Sequence, residues 1–242
     1  MTSLERFYHS DNQYELCIDE VGRGCLFGRT YIACVVLPRD PDLFDATDVK
    51  DSKKFSSKKK IREVAARIRE QALFWHIEYM EHDVIDKINI LQAVMKGMHA
   101  CIHTVCSKIK QTEQSNEPNK MHANKFMAVI DGNYFTPYLW YDDTKEMICQ
   151  FPHVTVEKGD ARYMGIAAAS ILAKVARDDY IADLCAKHPQ LTTYYGLDTN
   201  MGYGTKRHLD GIRNHGLSPW HRTTFGLCKS VETKAVLEDV SV

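Results

Sequence analysis

The sequence predicts an α/β fold built on a sheet of mixed strand direction, and three observations carry that reading. Two apolar, β-branched segments, ELCIDE (15–20) and TYIACVVLP (30–38), flank a glycine-containing GRGCLFGR and read as paired strands. Helical and strand-like periods then alternate along the chain. Three of the strand-like segments end in carboxylates close to glycines. With 242 residues and 44% hydrophobic content, the chain can fill the core of one large domain, or of a domain with a smaller appendage.

After the first strand pair, SSKKKIREVAARIREQ (56–71) has helical spacing, with Ile61, Ala65, Ile68 and Ala72 on one stripe. ALFWHIEYM (72–80) alternates as a third strand. NILQAVMKGMHACIHTVCSKI (89–109) repeats apolar residues at helical intervals, whereas QTEQSNEPNK (111–120) has none and reads as an exposed surface insertion. KFMAVIDGN and HVTVEKGD supply two more strand cores. The alanine-rich MGIAAASILAKVARDDYIADLCAK (164–187) reads as a helix whose small side chains let it sit close to the sheet. From residue 189 the chain turns Gly-rich, aromatic and basic, with a short helix expected around 205–214.

Composition excludes several classes. The start lacks a basic segment leading into an apolar one, and no apolar run approaches the roughly 20 residues of a membrane helix, so a cytoplasmic protein with no membrane partner is expected. Eight cysteines without a CxxC pair argue for reduced thiols in an intracellular compartment rather than a zinc ribbon or a disulfide scaffold. A formal charge of -1 means that any nucleic acid would be held by local patches. Gly22, Gly24 and Gly28 do not fit G-x-G-x-x-G, and no P-loop is present.

The carboxylates are the chemical signal. LCI runs into Asp19 and Glu20, MAVI into Asp131, and VTV into Glu157-Lys158-Gly159-Asp160. Ligands of open α/β sheets gather beyond the carboxyl ends of strands, so three such ends brought together would cluster up to five acids. An acid cluster requires a compensating cation, and carboxylates without His or Cys select hard ions such as Mg²⁺ or Mn²⁺, which borrow oxygens from phosphates. A phosphate ester is therefore the inferred substrate. Singly, each acid has a plainer reading: Asp131 as a turn residue, Asp160 as a helix cap, Glu157 as a strand-end charge. Neighbours on a regular strand point to opposite faces, so the strand is expected to end or bend at Glu20 if both Asp19 and Glu20 enter one site.

At this point the residues resemble the type 2 ribonucleases H, and within them the single-chain ribonuclease HII group. The matching stretches are CIDEVGRG (17–24), DSKKFSSKKK (51–60), NILQAVMKGMHA (89–100), IDGN (130–133), KGDARYMGIAAASILAKVARD (158–178), GYGTKRH (202–208) and HGLSPWHRTTF (215–225), in the family's order. The resemblance implies a ribonuclease H-like mixed five-stranded sheet flanked by helices, with a small helical C-terminal portion. It makes 1–242 a single catalytic domain, with a core of about 12–188 and a C-terminal portion of about 189–242. Asp19, Glu20, Asp131 and Asp160 become the metal-binding catalytic carboxylates, and Glu157 stays outside the set. Gly22, Arg23 and Gly24 would recognise the ribonucleotide through its 2′-hydroxyl, and Tyr203 would stack on the sugar beside the scissile phosphate.

The implied reaction is phosphodiester hydrolysis with two divalent ions, Mg²⁺ or Mn²⁺, leaving 5′-phosphate and 3′-hydroxyl ends. The implied substrates are the RNA strand of RNA–DNA hybrids and duplex DNA containing a ribonucleotide, nicked on its 5′ side, by a monomer. Seven basic side chains lie between Lys50 and Arg62, a run that fits a solvated face as well as a set of phosphate contacts, and the match at DSKK makes Lys53 the foremost candidate for such a contact. Four positions depart from the family: Cys25 and Arg29 stand where it tends to have Pro and a small or Pro residue, and Asn200-Met201 replaces a basic pair. A nuclease of the same fold acting on DNA, and a nucleic-acid-binding module without chemistry, are the competing readings.

Overall fold

The computed structural model describes residues 4–9, 12–114, 125–142 and 145–231. The chain divides into two compact units, one of Met1–Val21, Tyr31–Glu78 and Met95–Val175, the other of Gly22–Thr30, Tyr79–Val94 and Ala176–Val242.

The first unit is organised by β1 (Tyr14–Val21), β2 (Thr30–Val36), β3 (Phe74–Met80), β4 (Phe126–Asp131) and β7 (His153–Val156). They form one sheet in the order β3-β2-β1-β4-β7. β1 and β2 are antiparallel, with Cys17 opposite Val35 and Val21 opposite Tyr31, while β1, β4 and β7 run parallel. The mixed five-stranded sheet expected from the sequence is thus present. Every residue of β2 is buried, as a strand covered on both faces requires.

Register parity shows what covers each face. Cys17 pairs with Val129, and these pack in one buried cluster with Val156, Tyr163 and Ile166 of α4 (Met164–Lys187). A Cβ on Gly165 would lie 2.4 Å from Cys17 Sγ, so the glycine lets α4 approach β1. Ile32 points to the other face, where a Cβ on Gly97 of α3 (Ile90–Gln114) would lie 2.5 Å from Ile32 Cδ1. α3 and the first part of α4 therefore cover opposite faces of the sheet. α1 (Lys58–Gln71) begins where the Ser57 hydroxyl accepts from the Lys60 amide, and it buries Ile61, Val64, Ala65 and Ile68. Val64 thus joins the expected stripe, while Ala72 falls just past the helix end.

The structure departs from the expected elements in three places. The ladder of β1 continues through Glu20↔Ile32 to Val21↔Tyr31, so the strand does not end at Glu20; the break comes at Gly22, whose φ of +93° leaves the strand region. Residues 111–114 of the expected loop are the last turn of α3, and the rest, 115–120, lies outside the described residues, as does the tail beyond residue 231. The sequence reading also passed over a two-stranded ribbon, β5 (Leu139–Asp142) against β6 (Met147–Gln150), whose Trp140 packs on Phe126 and Phe151.

The second unit contains α2 (His82–Ile88), the later part of α4, α5 (Gln190–Tyr195), α6 (Leu197–Asn200) and α7 (Lys206–His215). Its core gathers Leu26, Phe27, Ile181, Leu191, Tyr195, Leu197, Ile212 and Leu217. Asp86 clasps the segment after α7 by accepting from the amides and hydroxyls of both Thr223 and Thr224. None of the eight cysteines is paired. Among the described residues no helix is long and apolar enough to cross a membrane.

Candidate active site

Asp19 and Asp131 stand side by side because of register. Each lies two residues beyond the paired Cys17 and Val129, so both carboxylates project on the α4 face, at the carboxyl ends of adjacent parallel strands. Asp160 follows β7 on a short 3₁₀ turn, Gly159–Ala161, entered through Lys158 in the left-handed region at φ +54°. The Gly159 amide donates to Asp131 Oδ1 at 2.6 Å, and a Cβ on Gly159 would lie 3.1 Å from that oxygen and 2.5 Å from Ile166. Glycine there lets the turn close on the acid. Lys53 Nζ lies 3.5 Å from Asp160 Oδ2.

Glu20 is placed differently. Its side chain leaves the opposite face of β1 and is half-buried, whereas Asp19 is 5% exposed and Asp160 7% exposed. Asp19 accepts from the Glu20 amide at 2.7 Å and from the Ser170 hydroxyl, which shares a 3.0 Å hydrogen bond with Ser52. Ser52 and Ser170 were not singled out as site residues in the sequence. The available signal was a hydroxyl in the wholly apolar run of α4, IAAASILA, where a buried serine must find a polar partner.

Burial holds the Asp19 carboxyl well above the usual carboxylate range, and the charges of Asp131 and then Glu20 raise it further. Asp131 is likewise raised by burial, with the Asp160 charge adding and the Gly159 amide opposing. Burial would lower Lys53, but Asp160, Asp51 and Asp19 outweigh it and raise the ammonium's pKa. One lysine thus faces several acids, an imbalance that a hard divalent cation relieves. Among the described residues no three acid, His or Cys side chains enclose an ion by themselves. As a phosphate contact, Lys53 would make Lys53→Met lower kcat/KM about tenfold, mainly through KM. Steady-state kinetics on a short hybrid duplex checks this.

The glycine loop belongs to the second unit. A Cβ on Gly22 would lie 2.3 Å from Arg177 Nε, whereas the space at Gly24 is open. Arg177, fully buried, donates to the carbonyls of Arg29 (3.3 Å), Met201 (2.7 Å) and Phe27 (3.2 Å). Arg222, also fully buried, donates to Gly28 (2.9 Å) and Arg23 (3.0 Å). These two guanidiniums, unassigned from the sequence, hold the irregular backbone of residues 22–29 by its carbonyls. The Cys25 amide closes a turn onto the Gly22 carbonyl at 3.4 Å, a bond that proline could not make. Arg29 pairs with Glu81 and lies over the rings of Tyr79 and Tyr180. Asn200 is structural, donating to Tyr195 and accepting from the Gly202 amide. The side chains of Arg23 and Tyr203 are exposed, Tyr203 by 46%.

A mixed sheet with carboxylates, hard oxygen donors, at the ends of its adjacent parallel strands defines a class: an α/β fold of the ribonuclease H kind whose donors suit phosphate-ester chemistry with a divalent cation. Comparison with known proteins makes this specific. The ribonuclease HII family model matches residues 16–228, and the chain belongs to that family. It is 41% identical over 222 residues to the ribonuclease HII of Parabacteroides distasonis, covering 91% of this chain and 94% of that one. The fold is similar to the crystal structure of ribonuclease H2 from Pyrococcus horikoshii OT3 (TM-score 0.63, 19% identical, 90% of this chain and 96% of that chain). It is also similar to Bst-RNase HIII in complex with Mn²⁺ (TM-score 0.60, 18% identical, 91% and 70%).

Proposed function

We propose that this chain is a metal-dependent endoribonuclease that hydrolyses the RNA strand of RNA–DNA hybrids and nicks duplex DNA 5′ of an embedded ribonucleotide, leaving 5′-phosphate and 3′-hydroxyl ends. The observation that carries the reading is the adjacent placement of buried Asp19 and half-buried Asp131, with Asp160 beside them, in a chain of the ribonuclease HII family. Asp19, Asp131 and Asp160 would hold the divalent ions, with Glu20 joining from the edge of β1. When bound, two such ions, Mg²⁺ or Mn²⁺, supply activation of the attacking water and stabilisation of the leaving 3′-oxygen.

The chain's own groups set the geometry. Asp19 and Asp131 each commit Oδ1 to a backbone amide, which fixes the plane of the carboxylate, and Ser170 holds Asp19 from the helix side. Lys53 brings a cation to the phosphate beside Asp160. The backbone of Gly22, Arg23 and Gly24 reads the 2′-hydroxyl, and Tyr203 meets the sugar. We take the chain to act as one catalytic domain, as a monomer, in the cytoplasm.

The test offers three labelled duplexes, a hybrid, a DNA duplex with one ribonucleotide and an all-DNA duplex, each with Mg²⁺, Mn²⁺ or chelator. Expected are internal cuts in the hybrid and a single nick 5′ of the ribonucleotide, both lost with chelator. Equal cutting of all-DNA duplex would overturn the 2′-hydroxyl reading, and binding without cleavage in either metal would favour a binding module.

A further inference from the structure

We propose that His208, His221 and Ser218 form a neutral hydrogen-bond relay that fixes the backbone of Tyr203, making His208 a positioning residue for the ribonucleotide contact. The inference rests on the reading that Tyr203 meets the substrate's sugar. Its basis is a continuous chain of short contacts. His208 Nδ1 lies 2.9 Å from the Tyr203 carbonyl oxygen, and His208 Nε2 lies 3.0 Å from His221 Nε2. His221 Nδ1 lies 2.9 Å from the Ser218 amide nitrogen and 2.8 Å from its hydroxyl.

The end groups dictate where the protons sit. A backbone amide only donates, so His221 Nδ1 must accept and carries no proton. A carbonyl only accepts, so His208 Nδ1 carries one. With both rings neutral, the remaining proton belongs to His221 Nε2 and is donated to His208 Nε2. The result is one self-consistent direction, from Ser218 through His221 and His208 to Tyr203. The surroundings favour neutrality: His208 is 0% exposed, His221 1% and Ser218 3%, and the rings of Tyr195 and Phe27 border the pair. Burial lowers both imidazoles, and burial with the charges of His208 and His82, opposed by the Ser218 amide, takes His221 down to about 3.

A buried histidine pair could serve packing alone, but this one ends on the residue between two glycines. Gly202 has φ +84° and Met201 φ +50°, so the segment departs from regular structure on entry. The Tyr203 carbonyl accepts from both the Thr205 amide and His208, and Thr205 in turn caps α7 by accepting from the His208 amide. Fixing that carbonyl fixes ψ of Tyr203, and with it the direction in which its exposed ring leaves the backbone.

Two substitutions separate positioning from packing. The amide of His208→Asn can replace Nδ1 and donate to Tyr203 while losing His221; that of His208→Gln can replace Nε2 and keep His221 while losing Tyr203. On duplex DNA with one ribonucleotide, His208→Asn is expected to stay within about threefold of wild-type kcat/KM and His208→Gln to fall about tenfold or more, whatever their melting temperatures. In a Tyr203→Ala background, His208→Gln should cost nothing further. Equal losses that follow melting temperature, or losses that multiply in the double variant, would overturn the relay. A Tyr203→Ala enzyme of undiminished kcat/KM would overturn the underlying reading of Tyr203 instead. Should neither His208 variant fold, ¹⁵N imidazole shifts of the unaltered protein at neutral pH decide: His208 protonated at Nδ1 and His221 at Nε2 is expected, and an imidazolium at either ring overturns the relay.

Discussion

Asp19→Asn is expected to lower cleavage by about three orders of magnitude, roughly 4 kcal/mol of transition-state stabilisation, and at the same time to raise the melting temperature of the metal-free protein. Both effects have one origin. Asp19 is 5% exposed and adjoins Asp131 across a parallel strand pair, so without a cation its ionised form is desolvated beside a like charge. An amide of the same shape removes that repulsion and keeps an oxygen for the Glu20 amide. A gain of about 1 kcal/mol would appear as roughly 2–4 °C in a chain of this length.

The pH dependence has a definite sign. The folded-state pKa of Asp19 is raised above its unfolded value, so the native state holds the proton more tightly. Its contribution to wild-type stability is therefore fully present below the unfolded pKa of about 4 and is lost as pH rises through the folded value. The advantage of the variant should grow with pH over that range and vanish in acid. Melting curves in chelator, run beside single-turnover cleavage assays, check both halves; a variant that is inactive because it is less stable would contradict the account.

Arg177→Met is expected to destabilise the protein by on the order of 3 kcal/mol, a fall of roughly 6–12 °C in melting temperature. The side chain is 0% exposed and serves the carbonyls of Phe27, Arg29 and Met201, three acceptors that methionine leaves without this donor. Arg177→Lys keeps the charge but lacks the planar fork that reaches separate carbonyls, so it should recover only part of the loss. Gly22 gives this prediction its functional side. The guanidinium occupies the space where a side chain at Gly22 would lie, so removing it frees the loop that we assign to the 2′-hydroxyl. Preference for a ribonucleotide-containing duplex over all-DNA should weaken in the methionine variant even at a temperature where it is fully folded. Thermal melting and paired cleavage assays give the two readouts.

What could be read from the sequence depended on whether a local pattern or a distant partner determined the structure. The strands around Ile18, Ile130 and Thr155 and the alanine-rich α4 show their period directly, and the acids at the strand ends could be picked out as a set. The pairing Ile18↔Ile130, which makes Asp19 and Asp131 neighbours, joins segments far apart in the chain, and no local pattern specifies it. The expected break at Glu20 failed because β2 continues the ladder past it, a tertiary contact without a trace in ELCIDE. Arg177 and Arg222 were illegible for a similar reason: an arginine looks like a surface residue until the carbonyls it serves are known. The link between His208 and His221, thirteen residues apart, exists only in the fold.

The strand order also bears on synthesis. β1 obtains its antiparallel partner within the first 36 residues, but its other edge must wait for β4, which begins at Phe126. At about 5–20 residues per second, that edge stays open for roughly 5–20 s while a ribosome makes the intervening chain. An apolar strand with an unpaired edge invites aggregation with other nascent chains, and charge at the edge is a recognised defence. Asp19 and Glu20 lie near the end of that strand, where their charge would oppose mispairing of its open edge while the chain is being made.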